Sequence, residues 1–152
     1  MSDTLTLTLD NNKGDIGDVV IKMRPDLAPG HVAQISKLAT DGFYDGLTFH
    51  RVIPGFMAQG GCPDGTGMGG AKENIKAEFS REPHVRGICS MARSQRPDSA
   101  SSQFFICFDD ATFLDGQYTV WGEVTSGMEF VDGLPTGEPP RMPGKIVKAT
   151  IS

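Results

Sequence analysis

The chain has 152 residues, a length typical of one compact domain, and its 19 glycines indicate many turns and a strand-rich fold. The 14 lysines and arginines against 19 aspartates and glutamates give a net charge of −5, without a basic run that could neutralise nucleic-acid phosphates. The longest apolar run, 104–108, is far too short to span a membrane. We therefore predict a single domain over 1–152 that binds neither nucleic acid nor membrane.

A hairpin is predicted at the start of the chain. Threonine and leucine alternate from Thr4 to Leu9, the pattern of a strand with one buried face. Residues 10–15 are rich in turn-forming types, and 18–23 read as the returning strand.

A helix is predicted over 29–40. Pro29 suits the first helical position, and Gly42 follows where a left-handed cap would end the helix. On this helix His31 is expected to face solvent.

The rest of the chain reads mostly as short strands. A second helix is predicted over 128–134, with Ser126 as its N-cap. Because strands follow one another without alternating helices, a closed antiparallel sheet is the predicted architecture. The predicted strands are 47–53, 55–59, 86–92, 103–108, 118–124 and 145–152.

The glycine-rich segment 60–70 is predicted to be a surface loop. Its stretch Gly65 to Gly70 matches the dinucleotide-binding pattern G-x-G-x-x-G, but that motif requires a strand before it and a crossover helix after it. The polar residues 71–76 cannot form such a helix against a sheet, so a nucleotide site is not expected.

The 3 cysteines, Cys62, Cys89 and Cys107, are odd in number and lack metal-ligand spacing. Free thiols in a reducing compartment are the natural interpretation. The first residues carry no basic segment followed by an apolar stretch. Together these observations predict a cytoplasmic protein.

Two stretches combine polar and large apolar residues in a way that suggests a binding pocket. The stretch 49–61 places Arg51 and Gln59 among Phe49, Phe56 and Met57, and 102–106 sets another amide beside two phenylalanines. Alternation puts Gln103, Phe105 and Cys107 on one face of their strand. An apolar pocket with a few directed polar groups fits this pattern, and so does a core whose polar groups are satisfied.

The same stretches resemble the cyclophilins, a family of peptidyl-prolyl cis-trans isomerases. The resemblance covers essentially the whole chain in order, and rests on Phe49–Gly61, Ser90–Ala92, Ser102–Ile106 and Phe113–Gly116. It implies a mainly β fold in which a closed eight-stranded antiparallel barrel is capped by two α-helices. It also implies isomerisation of X–Pro bonds in peptides and unfolded proteins, which assists protein folding.

The resemblance further implies a role for individual residues. Arg51 matches the catalytic arginine, and Gln59 and Gln103 match the amides that hold the substrate backbone. Ala92 and Arg93 line the adjacent groove, Arg93 through its backbone, and Tyr118 can donate a hydrogen bond to the peptide. The residues matching the proline pocket are Phe56, Met57, Phe105 and Leu114, with Phe113 as part of its wall.

Bond rotation neither makes nor breaks a bond, so no nucleophile, metal or cofactor is expected. Phe113 stands where many members carry tryptophan, so cyclosporin-type cyclic peptides are expected to bind with reduced affinity. A monomer is expected. Two alternatives stay open: a proline-peptide binding module without catalysis, and a structural domain whose partner binds elsewhere, for instance at the loop 60–70.

Overall fold

The computed structural model describes residues 3–152. Over that range the chain forms eight strands, two α-helices and a short 3-10 helix at Thr112–Leu114. Neither helix is long and apolar enough to cross a membrane. The strands are β1 Thr4–Asp10, β2 Ile16–Met23, β3 Arg51–Ile53, β4 Met57–Gly60, β5 Ile88–Met91, β6 Phe104–Cys107, β7 Val120–Ser126 and β8 Lys145–Ile151, and the helices are α1 Pro29–Thr40 and α2 Met128–Asp132.

All eight strands belong to one antiparallel sheet, in the order β3-β4-β6-β5-β7-β2-β1-β8. The predicted hairpin is confirmed, since β1 pairs with β2 from Thr4↔Lys22 to Asp10↔Ile16. The leucines of β1 are buried on a single face, as their alternation predicts.

The sheet is an open half-barrel, so the predicted closed barrel is wrong. Its outer strands are β3 and β8, and within residues 3–152 they do not pair with each other. The segment 45–48 lies against β8 instead: Gly46 N–H donates to Ile146 O at 2.7 Å, and Ile146 N–H donates to Leu47 O at 2.8 Å. Gly46 has a φ of +83°, outside the extended region. Thr48 forms only an isolated bridge with Lys145, so the predicted strand 47–53 is reduced to Arg51–Ile53 and does not close the sheet.

Helix α1 has the predicted bounds, and its C-terminal end has the predicted glycine. Gly42 adopts a φ of +78°, and its N–H donates to Ala39 O at 3.1 Å. The next residue, Phe43, donates to Leu38 O at 2.9 Å. The left-handed residue thus satisfies helix carbonyls that would otherwise lack donors.

The N-terminus of α1 is capped from a distant part of the chain. Its N-cap residue, Ala28, has no side-chain hydrogen bond to offer. The carboxylate of Glu78 accepts hydrogen bonds from the N–H of Gly30 at 3.1 Å and of His31 at 2.8 Å, and it contacts the His31 Nδ1 at 2.7 Å. The prediction that His31 faces solvent is wrong, because this imidazole is fully buried against Glu78.

Helix α2 begins at Met128 after a glycine, so Ser126 is not its N-cap. Ser126 is the last residue of β7, and the N-cap position is Gly127 with a φ of +85°. A Cβ at Gly127 would overlap the carbonyl oxygen of Asp18. The close approach of β2 therefore requires glycine at this position.

Two apolar clusters pack against the two faces of β4 and β6. The larger is the main core, to which β6 contributes Phe104 and Ile106. Phe105 and Cys107 point the other way into the smaller cluster, together with Met57 of β4. The alternation predicted for β6 is confirmed, and its second face is available to form a pocket.

Candidate active site

A pocket of about 130 Å³ lies on the second face of β4 and β6. Its apolar wall consists of side chains from β4, from β6, from the turn before β4, from the residue after β5 and from the short 3-10 helix. The lining residues are Phe56, Met57, Phe105, Leu114, Ala92, Arg51, Gln59, Arg93 and Tyr118, which are all the predicted site residues except Gln103 and Phe113.

The strand register explains why residues far apart in sequence share this pocket. Arg51 of β3 is the direct partner of Gln59 in β4, and Gln59 is the direct partner of Phe105 in β6. Directly opposed residues of neighbouring strands present their side chains on the same face. One row across three strands therefore places a cation, an amide and an aromatic ring side by side.

The Arg51 guanidinium is half-exposed at the edge of the pocket, with 43% of its side-chain surface accessible. Its Nε–H donates to Glu138 Oε1 at 3.0 Å, and its Nη1 contacts Gln59 Oε1 at 3.5 Å. Within residues 3–152, Nη2 forms no hydrogen bond. Arg51 therefore retains donor capacity for a ligand in the pocket.

Glu138 is a site residue that the sequence analysis missed. It lies in the proline-rich segment between α2 and β8, where no periodic pattern predicts which residues face the site. The sequence carries no signal for it, because the backbone pairing of Gly137 with Val52 that places Glu138 beside Arg51 is visible only in the folded chain.

Gln103 lies beside the pocket and supports Gln59. The Gln59 amide nitrogen donates to Gln103 Oε1 at 2.9 Å. The Gln103 amide nitrogen donates to the carbonyls of Gly67 at 2.9 Å and Gly69 at 2.7 Å. These two glycines and both glutamines line a neighbouring cavity of about 350 Å³. The amide of Gln103 is thus occupied by the glycine-rich loop, whereas Gln59 keeps hydrogen-bonding capacity.

Phe113 stands on the rim rather than inside the pocket. It is 67% exposed, and its ring centroid lies 5.7 Å from that of Phe56. The short 3-10 helix Thr112–Leu114 carries both Phe113 and Leu114, and Leu114 reaches the pocket. The apolar surface therefore extends outward from the pocket over Phe56 and Phe113.

Tyr118 closes another side of the pocket and is covered by Arg93. Its ring meets Phe105 edge-on at 5.8 Å, and its hydroxyl forms no hydrogen bond within residues 3–152. The Arg93 guanidinium lies 4.8 Å from the Tyr118 ring centroid, and its Nε and Nη2 donate to Gln117 O at 3.0 and 2.7 Å. Stacking and these bonds hold the Arg93 side chain over Tyr118.

A buried polar network supports the pocket floor, and it was not predicted. His84 stacks on Phe105 with ring centroids 6.1 Å apart. Its Nδ1 contacts Asp115 Oδ1 at 2.9 Å, and its Nε2 contacts Ser90 Oγ at 2.9 Å. The contacts join the three residue types of a Ser-His-Asp triad. Ser90 is nevertheless fully buried, and its hydroxyl donates to the carbonyl of Thr119 at 3.0 Å. The network fixes Phe105 from behind and offers no nucleophile to a ligand.

Comparison with known families identifies the family to which the chain belongs. The sequence model for "Cyclophilin type peptidyl-prolyl cis-trans isomerase/CLD" matches residues 6–151. The chain belongs to the cyclophilin-type peptidyl-prolyl cis-trans isomerases. The family membership predicted from Phe49–Gly61 and the later motifs is thus confirmed.

Relatives of this isomerase family resemble the chain over most of its length. A probable peptidyl-prolyl cis-trans isomerase of Brucella suis is 54% identical over 89% of this chain and 78% of its own length. Peptidyl-prolyl cis-trans isomerase B of Bacillus subtilis is 49% identical over 82% of this chain and 87% of its own. A Cryptosporidium parvum cyclophilin-type isomerase, crystallised in the presence of the dipeptide Ala-Pro, is 28% identical, with a TM-score of 0.89 and 98% of each chain covered.

Proposed function

We propose that the apolar pocket takes the proline ring of an X–Pro peptide and that Arg51 stabilises the twisted amide through which the bond rotates. The observation that carries this proposal is the Arg51 guanidinium at the pocket edge with its Nη2 unbonded in the described chain. Rotation of such bonds in unfolded chains would assist their folding, because uncatalysed exchange takes tens to hundreds of seconds.

The required rate enhancement is within reach of non-covalent contacts. The barrier to rotation is about 18–20 kcal/mol, because amide resonance is lost at the perpendicular geometry. Raising a rate of about 10⁻² per second to about 10 per second requires lowering that barrier by roughly 4 kcal/mol. Proton transfer, a metal and a covalent intermediate are not needed for such a change.

A guanidinium can supply much of this difference selectively. In the twisted state the proline nitrogen becomes pyramidal and regains a lone pair, which a planar amide does not offer. A donor aimed at that nitrogen therefore binds the transition state more strongly than either ground state. A hydrogen bond from a charged donor contributes about 1.5–3 kcal/mol. The planar fork of Arg51 can contact the nitrogen with one group while Glu138 and Gln59 hold the others.

The groups around the pocket suit an extended peptide on either side of the proline. Gln59 retains capacity for the peptide backbone, and we propose that Gln103 acts through Gln59 by fixing its amide. Arg93 has a backbone that forms no hydrogen bond within residues 3–152, which supports its predicted backbone role. Binding of X–Pro peptides is also supported by the Cryptosporidium parvum relative crystallised with Ala-Pro.

Substitution of Arg51 tests this mechanism. We expect Arg51→Ala to lower kcat/KM for an Ala-Pro tetrapeptide about 10- to 100-fold, corresponding to the loss of one charge-assisted hydrogen bond. The measurement is a protease-coupled assay together with NMR exchange on the same peptide.

A matched control is Arg86→Ala, which removes an arginine of similar exposure whose Nη2 is paired with Asp132 at 2.7 Å away from the pocket. This control should keep the rate of the unmodified chain. A folded Arg51→Ala protein with nearly full activity would show that another group stabilises the twisted amide.

A further inference from the structure

Glu138 lies directly opposite Arg51 across the open edge of the sheet. Val52 and Gly137 exchange both of their backbone hydrogen bonds, each at 2.9 Å, in an antiparallel bridge. In such a bridge the preceding residue of one segment faces the following residue of the other. Arg51 and Glu138 are therefore cross-strand neighbours, and the 3.0 Å contact of Nε with Oε1 follows from the backbone pairing.

We infer that Glu138 is a positioning residue for catalysis, which holds the Arg51 guanidinium in the orientation that presents Nη2 to the proline nitrogen. An arginine side chain that is half-exposed has many rotamers, and ordering it for each reaction cycle lowers the rate. The bond from Nε to Glu138 and the contact of Nη1 with Gln59 at 3.5 Å together restrict the guanidinium plane. Only Nη2 is then left without a hydrogen bond in the described part of the chain.

Glu138 can perform this role without stabilising the fold. Its side chain is 58% exposed and that of Arg51 is 43% exposed, and ion pairs between exposed groups add little to stability. The backbone bridge between Val52 and Gly137 does not depend on the carboxylate, so it should persist when Glu138 is changed. The inference depends on the proposed function, because it assumes that Arg51 acts on the substrate.

The test compares Glu138→Ala and Glu138→Gln with the unmodified chain. We expect Glu138→Ala to lower kcat about five- to tenfold and to leave KM nearly unchanged, because the pocket still binds proline while Arg51 is less often oriented. Glu138→Gln should lose only about twofold, since its amide oxygen can still accept from Nε. NMR exchange at saturating Ala-Pro peptide measures kcat, and a titration gives KM.

Asp132→Ala is the matched control, since it removes a carboxylate of similar exposure from the pair with Arg86, and it should leave kcat unchanged. A double-mutant cycle then shows whether Glu138 acts through Arg51. If it does, the protein with both Arg51→Ala and Glu138→Ala should be as slow as Arg51→Ala alone. Unchanged kcat in Glu138→Ala, or an equal further loss in the Arg51→Ala background, would overturn the inference and leave the role of Arg51 standing. Full activity of Arg51→Ala would instead overturn the proposed mechanism, and the inference with it.

Discussion

Glu78 should be one of the most important side chains for stability, because it completes a helix that lacks its own cap. Its carboxylate accepts from two backbone N–H groups in the first turn of α1 and contacts the buried His31 ring. Removing a cap typically costs about 1 kcal/mol, and removing a charged partner from a hydrogen bond costs about 1.5–3 kcal/mol. We therefore expect Glu78→Ala to lower the free energy of unfolding by about 2–4 kcal/mol, out of the roughly 5–15 kcal/mol typical of a domain.

Thermal and urea denaturation check this value. For a chain of this size, a loss of this magnitude lowers Tm by about 10 °C. Glu73→Ala is the control, because Glu73 is an exposed glutamate of the same segment whose side chain forms no hydrogen bond within residues 3–152. If the two variants differed by less than about 0.5 kcal/mol, the carboxylate of Glu78 would not be acting as a tertiary cap.

Two further predictions concern pH and the pocket. Burial lowers the pKa of His31 below its ordinary value of 6.5. Burial alone would raise the pKa of Glu78, but the hydrogen bonds that its carboxylate accepts from His31 and Gly30 outweigh burial and lower this pKa below 4.5. Both groups bind fewer protons when folded, so urea denaturation should show stability falling as pH drops below about 6.5 and again below about 4.5; stability that is constant or rises on acidification would contradict this. Tyr118→Phe should change stability by less than about 0.5 kcal/mol, since the hydroxyl has no partner in residues 3–152. It should raise KM for a proline peptide about two- to tenfold without lowering kcat, and an unchanged KM would exclude a contact between this hydroxyl and the peptide.

The parts of the fold that the sequence predicts correctly depend on local patterns. The alternation of Thr4 to Leu9 determines which face of β1 is buried, and Pro29 and Gly42 mark the two ends of α1. Most of the pocket is predictable for a related reason. Two continuous stretches, 49–61 and 102–106, supply β3, β4 and β6, which are neighbours in the sheet.

The features that the sequence does not predict depend on contacts between distant segments. Glu138 meets Arg51 across 87 positions, and Glu78 meets His31 across 47. Neither glutamate belongs to a periodic segment, so nothing local distinguishes it from a solvated carboxylate. The open form of the sheet has the same origin, because it depends on how the segment 45–48 meets β8 far along the chain.

The open sheet also has a consequence for how the protein behaves among other chains. Exposed strand edges present free N–H and C=O groups on which another chain can build intermolecular β-structure and aggregate. Here the outer side of β8 is occupied by the backbone of 46–47 and by the Asp45 carboxylate, which accepts from Ala149 N–H at 3.0 Å, while Gly137 covers β3. Exposed Lys145 and Lys148 place charge along the same margin of β8. The half-barrel thus gains, from loops and charge, much of the resistance to unwanted strand addition that a closed barrel obtains by having no edges.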